Sequence, residues 1–247
     1  MRNATLVFGI HWRDVVSGVA VLALACFSAF SADDAPAPEP GERALNAKES
    51  DAALSGIAEA FKAHPTVRAK IRSEIEDLAG KRVEDGELLL DRSEGSPARV
   101  LRTFAKPKQK AWLLNGATIS EYVASKKTVF VKDLSAAPKT LKHIQAAMTG
   151  DVHALEEIFT IRVFSKPGAL RLVLDKKPKV SHYIHRRIEA RFTEGGMFFD
   201  QIRYIPDEGD EVTETFLELK DAGKLSDADF ALQGTDGSER KVEKIAE

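Results

Sequence analysis

The chain predicts a mainly β fold with a small helical cover, on three observations. Long stretches alternate apolar with charged residues, as in Val67-Arg-Ala-Lys-Ile-Arg-Ser-Glu-Ile-Glu76, the pattern of a sheet with one wet face. Short breaks rich in Gly, Pro and Asn separate these stretches, and Asn115-Gly116 is the strongest hairpin dipeptide among them. Between two such series lies one segment, Pro138 to Phe159, that repeats at helical period. A meander of about ten to eleven short strands should curl into a barrel-like sheet, and the helical segment must bury its apolar face on that sheet.

At 247 residues the chain accommodates a single large β domain, and its formal net charge of −2 makes no electrostatic case for nucleic acid as a partner. The N-terminus has the form of an export signal. Arg2 and Arg13 precede the apolar run from Val15 to Phe30, and Ala29-Phe-Ser31 offers a small-x-small cleavage site. Residues 1–32 are therefore expected as a signal peptide, with a retained anchor as the rival, and the mature protein as periplasmic. The lone cysteine, Cys26, falls inside that leader. Ala23-Leu-Ala-Cys26 resembles a lipoprotein acylation box with Ala23 where Leu is usual, so a lipid anchor is the less favoured outcome. Once the leader is removed there is no disulfide and no thiol chemistry.

Residues 33–47, with their Ala-Pro-Ala-Pro-Glu-Pro-Gly run, read as a solvated linker, followed by one domain over 48–234. Ser50 is placed to cap a helix carrying Leu54, Ile57, Ala58 and Phe61, which His64-Pro65 ends. Strands follow at Val67–Glu76, Glu87–Arg92, Ala98–Phe104, Lys110–Leu114, Ile119–Ala124 and Thr128–Val131. In the helical segment Leu141, Ile144 and Met148 share one face, Pro138 suits the first turn, and Gly150 suits a left-handed terminus. Asp151 then caps a second helix with Leu155, Ile158 and Phe159 on one side. The second strand series covers Thr160–Phe164, Ala169–Leu174, Ile184–Phe192, Met197–Ile205 and Thr213–Leu219, with a short last strand at Phe230–Leu232. Residues 235–247 read as a charged, loose tail.

No enzyme signature appears: there is no Gly-x-Ser-x-Gly elbow, no His-Glu-x-x-His and no phosphate loop. His182 and His185, three apart, point to opposite faces of a strand and have no third ligand at metal spacing. Neither catalysis, nor a metal, nor a cofactor is expected. Lys126-Lys127 and Arg186-Arg187 are solvated charges, with attraction to anionic lipid as a weaker reading.

Taken in order, these landmarks resemble the periplasmic outer-membrane lipoprotein carrier (LolA-like) family, from about Leu54 to Glu243. An opening amphipathic helix leads to Gly86-Glu-Leu-Leu-Leu-Asp-Arg92, similar to the family's Gly-x-Leu-x-x-x-Arg strand. Leu114-Asn-Gly-Ala-Thr-Ile-Ser-Glu-Tyr122 is similar to its Asp-Gly hairpin. Leu170-Arg-Leu-Val-Leu174 is similar to its Leu-x-Leu-x-Pro strand, and Asp227-Ala-Asp-Phe-Ala-Leu232 to its closing strand. The chain departs from the family at Asn115, at Ser120 and in the delayed Pro178.

The resemblance implies an incompletely closed antiparallel barrel whose concave apolar side, covered by helices, carries acyl chains across the aqueous periplasm. The implied cavity residues are Leu88, Leu90, Val100, Trp112, Leu114, Leu170, Leu172, Leu174, Ile188 and Phe192, under a lid of Leu141, Ile144, Met148, Leu155, Ile158 and Phe159. Arg92 stands where the family has a lid-bonding arginine. It shares parity with Leu88 and Leu90, and if buried it needs acceptors such as the lid's carbonyls. A solvated strand charge is the plain alternative. Implied partners are lipoprotein or lipid cargo, an inner-membrane release complex and an outer-membrane acceptor, with the protein a monomer. Two rivals stay open: the stripes fill an ordinary core, or the half-barrel holds a peptide or a partner's helix.

Overall fold

Thirteen strands among the described residues join in one sheet that does not close on itself. The computed structural model describes residues 36–77, 80–95, 97–106, 109–180 and 185–246. The expected leader, Cys26 and His182 lie outside them. In chain order come β1 (Arg43–Ala44), α1 (Ala47–Ala63), β2 (Thr66–Asp77), β3 (Gly80–Asp91), β4 (Arg99–Lys106), β5 (Lys110–Asn115), β6 (Thr118–Val123) and β7 (Thr128–Ala136). Then follow α2 (Pro138–Thr149), α3 (Val152–Leu155), β8 (Phe159–Lys166), β9 (Ala169–Lys176), β10 (His185–Thr193), β11 (Gln201–Pro206), β12 (Glu211–Asp221) and β13 (Glu239–Ala246).

The spatial order is β1-β8-β9-β10-β11-β12-β2-β3-β4-β5-β6-β7-β13. Each strand series forms its own meander, and the antiparallel pairing of β12 with β2 fuses the two. Alternation sets the faces: in β2, Val67, Ala69, Ile71, Ser73 and Ile75 are buried while Arg68, Lys70 and Arg72 are exposed. At the end of β3, Leu88-Leu89-Leu90 is buried on both faces, since a second apolar cluster covers the outer side of Leu89. Gly86 sits at a register shift between β3 and β4, where an added Cβ would lie 2.2 Å from the Thr103 carbonyl oxygen and 2.7 Å from the Phe104 ring. Only glycine fits there.

Several boundaries differ from the sequence expectation. Asn46, not Ser50, caps α1, because Asn46 and Glu49 form a reciprocal capping box. The end of the expected linker is held down, since β1 pairs with β8 and Glu42 binds Arg171 at 2.8 Å. The second lid helix is a single turn: Ile158 lies in the turn after α3 and Phe159 opens β8. Residues 197–200 are irregular, so β11 begins only at Gln201. Phe230 ends a 3-10 turn, Asp227–Phe230, where Ser226 and Asp229 cap each other, and does not form a strand. The charged stretch expected to be loose supplies β13, which pairs parallel with β7. Its charges are tolerable because β13 is an edge strand, whose side chains reach water. No helix among the described residues is long and apolar enough to cross a membrane.

Candidate functional site

The helices lie over the inner face of the sheet, and small side chains decide what is left between them. Ala146, Ala147 and Gly150 face inward from α2 and its terminus, and Ala190 faces them from β10. Leu88, Leu90 and Val100 form one wall, Leu172, Leu174 and Ile188 another, and Met148, Val152, Leu155 and Phe159 the roof. They enclose a cavity of about 90 Å³, counted as space open to the centre of a water-sized sphere. Its lining is almost wholly apolar. The space is smaller than the ~150 Å³ of a cavity that admits benzene.

Arg92 bonds the ends of the helices that cover the sheet. Its backbone N–H donates to the Pro65 carbonyl just after β3, and its side chain turns inward, 8% exposed. Nε donates to the carbonyls of Phe61 (3.0 Å) and His64 (3.2 Å), and Nη2 to those of His64 (2.9 Å) and Met197 (2.8 Å). Nη1 donates to the Met148 carbonyl at 3.3 Å. One guanidinium thus meets the C-terminal carbonyls of both α1 and α2, the negative ends of two helix dipoles, and ties them to the 197–200 loop. It also stacks over the Phe61 ring at 4.0 Å. Burial lowers its pKa to about 10, so it stays charged at neutral pH. Phe61 in turn packs on Phe198 and Phe199, with ring centroids 5.5 and 5.3 Å away. Gly150, at φ +74°, lies against the same ring: a Cβ would sit 2.9 Å from it.

Two charged residues line the cavity as well. Arg102 on β4 and Glu214 on β12 pair with each other at 1% side-chain exposure, and the Ser73 hydroxyl donates to the same Glu214 oxygen at 3.1 Å. His143 on α2 is also buried, its Nε2 3.2 Å from Glu157 after α3, which links the two halves of the roof. His185 on β10 packs at a tilt against Tyr204, ring centroids 5.2 Å apart, and burial pulls its pKa down to about 4. Among the described residues no three metal-binding side chains come together.

Of the sequence-derived cavity residues, Leu88, Leu90, Val100, Leu172, Leu174 and Ile188 line the cavity. Trp112, Leu114 and Phe192 are buried in the same core but do not line the hollow. Leu170, nearer the β8–β9 turn, is only partly buried. In the roof, Met148, Leu155 and Phe159 reach the cavity, whereas Ile144 and Ile158 are buried elsewhere and Leu141 is half-buried. The face of α2 is rotated from its apolar stripe: Thr140 and His143 are buried in preference to Leu141. Arg102, Glu214 and the loop pair Phe198–Phe199 are absent from the sequence-derived set. For the charged pair the signal was parity, since Arg102 alternates in step with Val100 and Phe104, and Glu214 with Val212 and Phe216.

Neither protein-family models nor curated proteins match this chain. Solved structures do. An uncharacterized conserved protein from Thermus thermophilus aligns over 80% of this chain and 99% of its own at 8% identity and a TM-score of 0.48. A protein domain from Vibrio parahaemolyticus, named for outer membrane lipoprotein sorting, aligns over 72% of this chain and 95% of its own at 12% identity and a TM-score of 0.40. A LolA superfamily protein from Nitrosomonas europaea aligns over 74% and 97% at 11% identity and a TM-score of 0.38. At such scores the likeness bears on neither ligand nor partner. The structural neighbours of this chain thus include proteins of the LolA superfamily and of lipoprotein sorting.

Proposed function

We propose that this protein binds the acyl chains of lipoproteins or of a related amphiphile beneath its helical roof and carries them through an aqueous compartment toward the outer membrane. The observation that supports this reading is the dry hollow kept open by Ala146, Ala147, Gly150 and Ala190 under short helices. Each CH₂ group exposed to water costs roughly 0.8 kcal/mol, so a dozen of them cost on the order of 10 kcal/mol. An apolar enclosure removes that barrier with no covalent chemistry. Loading enlarges the small cavity by lifting α2 and α3, and Arg92 is the tie that must give or re-form. Because its acceptors on α2 and on the 197–200 loop are single carbonyls, the roof can part from the sheet while Arg92 keeps its bonds to α1. With residues 1–32 read as an export signal, the compartment would be the periplasm. Donor and acceptor would be complexes at the inner and outer membranes.

The test is direct. Protein purified from cells under mild conditions is examined by mass spectrometry for co-purified lipid, and the emptied protein is titrated with a fluorescent acyl probe. Bound lipid and a probe shielded from water are expected. A protein that carries no lipid and leaves the probe exposed is not an acyl carrier; a module that holds a peptide would behave in that way.

A further inference from the structure

Arg102 and Glu214 enter the cavity wall from β4 and β12, strands held apart by β2 and β3. Nη2 of Arg102 donates to Oε1 of Glu214, which also accepts from Ser73. Three polar atoms remain: Nε and Nη1 of Arg102 and Oε2 of Glu214 have no hydrogen-bond partner among the described residues. A guanidinium offers five donors and a carboxylate about four acceptor sites, and polar atoms left unpaired in a low-dielectric interior are destabilising. A core that only needed filling would be served as well or better by apolar side chains of the same volume. Ion pairing alone therefore does not account for these residues, whereas unmet donors beside an unmet acceptor at the wall of a hydrocarbon-lined space describe a receptor.

We propose that the Arg102–Glu214 pair is the polar anchor of the cavity, built for an acyl chain whose head is an uncharged group that accepts and donates hydrogen bonds at once, an amide being the best match. This rests on the acyl-binding reading above and narrows it. The pair is neutral as a unit. A carboxylate set against it would leave a buried net negative charge, which the apolar walls penalise. An ester carbonyl could accept from Arg102 but would give nothing to Oε2 of Glu214. A bare hydrocarbon would leave all three atoms unmet. An amide carbonyl accepts from Nε or from Nη1, whose N–H groups point in different directions, while its N–H donates to Oε2, and no net charge is added.

The full-length protein is titrated with four probes of equal chain length, a fatty amide, a fatty methyl ester, a fatty carboxylate and the parent alkane, each displacing a fluorescent acyl reporter. The amide is expected to bind at least tenfold more tightly than the ester or the carboxylate, about 1.4 kcal/mol. The double replacement Arg102→Met with Glu214→Leu is then expected to bring the amide down to the level of the ester. The two are replaced together because removing one strands the other's charge and endangers folding. The measurement on the unaltered chain decides the ranking whether or not the variant folds. Amide and ester within about twofold of each other, or an unchanged ranking in a folded double variant, overturn the anchor alone. Displacement by none of the four overturns the acyl-binding reading with it.

Discussion

The two faces of the sheet begin from the same kind of residue and end differently. On the outer face Leu89, Leu101 and Leu113 are closed over by Phe230, with Leu225 and Leu232 beside it. On the inner face their neighbours Leu88, Leu90 and Val100 border a hollow. The difference lies in the covers. The outer cover is a length of chain with only a 3-10 turn in it, free to settle until Phe230 touches the leucines. Arg99 holds it there, stacked over the Phe230 ring at 4.3 Å and bonded to Asp227 and Asp91 at 2.7 and 2.6 Å. The inner cover is helical, and the backbone of a helix cannot sag to fill the gaps its alanines leave. Apolar character alone does not say whether a surface is sealed or hollow. The side-chain volume and the stiffness of what covers it do.

Four measurements can break or sharpen that contrast. Arg92→Leu should have the largest effect, since it strips a partner from four carbonyls in buried or part-buried contacts; we expect a loss of roughly 3–5 kcal/mol in chemical denaturation, with faster amide exchange in α2. A stable variant with unaltered exchange and unaltered probe release would remove Arg92 from the control of the roof. Phe230→Ala should cost about 3 kcal/mol by opening a void on the sealed face, while leaving acyl-probe binding untouched. If probe binding falls with it, the two faces are not independent.

Acid should separate the faces next. His185 is depressed to about 4 by burial, against 6.5 unperturbed; the nearby Asp207 opposes that shift and Lys176 adds to it. A folded pKa below the unfolded one means the unfolded chain binds the proton first, so stability is full above pH 6.5 and falls as pH drops toward 4. The loss reaches up to roughly 3 kcal/mol, and His185→Phe should abolish that slope in a series of melting curves. On the outer face, burial raises the Asp91 pKa but hydrogen bonds from Arg99 and Ser93 together lower it further, so its contribution is present above the ordinary value of 3.8 and is lost as pH falls from there toward the lower folded value. A single transition covering both windows would contradict this separation. The smallest effect on stability should come from Ala190→Leu, which fills the hollow: a change within about 1 kcal/mol, together with loss of acyl-probe binding. Strong destabilisation instead would mean that the space is not available to a guest.

Much of the framework was legible from the residues. The alternation in β2, the Asn115-Gly116 turn and the bounds of α2 at Pro138 and Gly150 appear where period and turn chemistry put them. Arg92 was singled out by its parity with Leu88 and Leu90 and by a resemblance. Its acceptors on α1 and the 197–200 loop were not, because they come from segments about 30 residues before it and 105 after it. Arg102 and Glu214 do not stand out locally, because a charge on a strand is usually solvated and their partnership spans 112 residues. The short run Phe230-Ala-Leu232 fits an edge strand as well as a plug, and local sequence does not separate the two. Charged β13 carries no apolar alternation to reveal it.

By itself the sequence determined the local matters: which residues alternate, where the chain turns, where helical period interrupts strand period, and which side chains are too small to fill space. Those depend on neighbours a few bonds away. Only the tertiary structure decided that β12 joins β2, and with it that two opposite charges meet inside a hydrocarbon wall and that two helix ends share one guanidinium. Such meetings are set by strand order across the whole sheet, and strand order follows from the total burial of every element at once rather than from any single stretch.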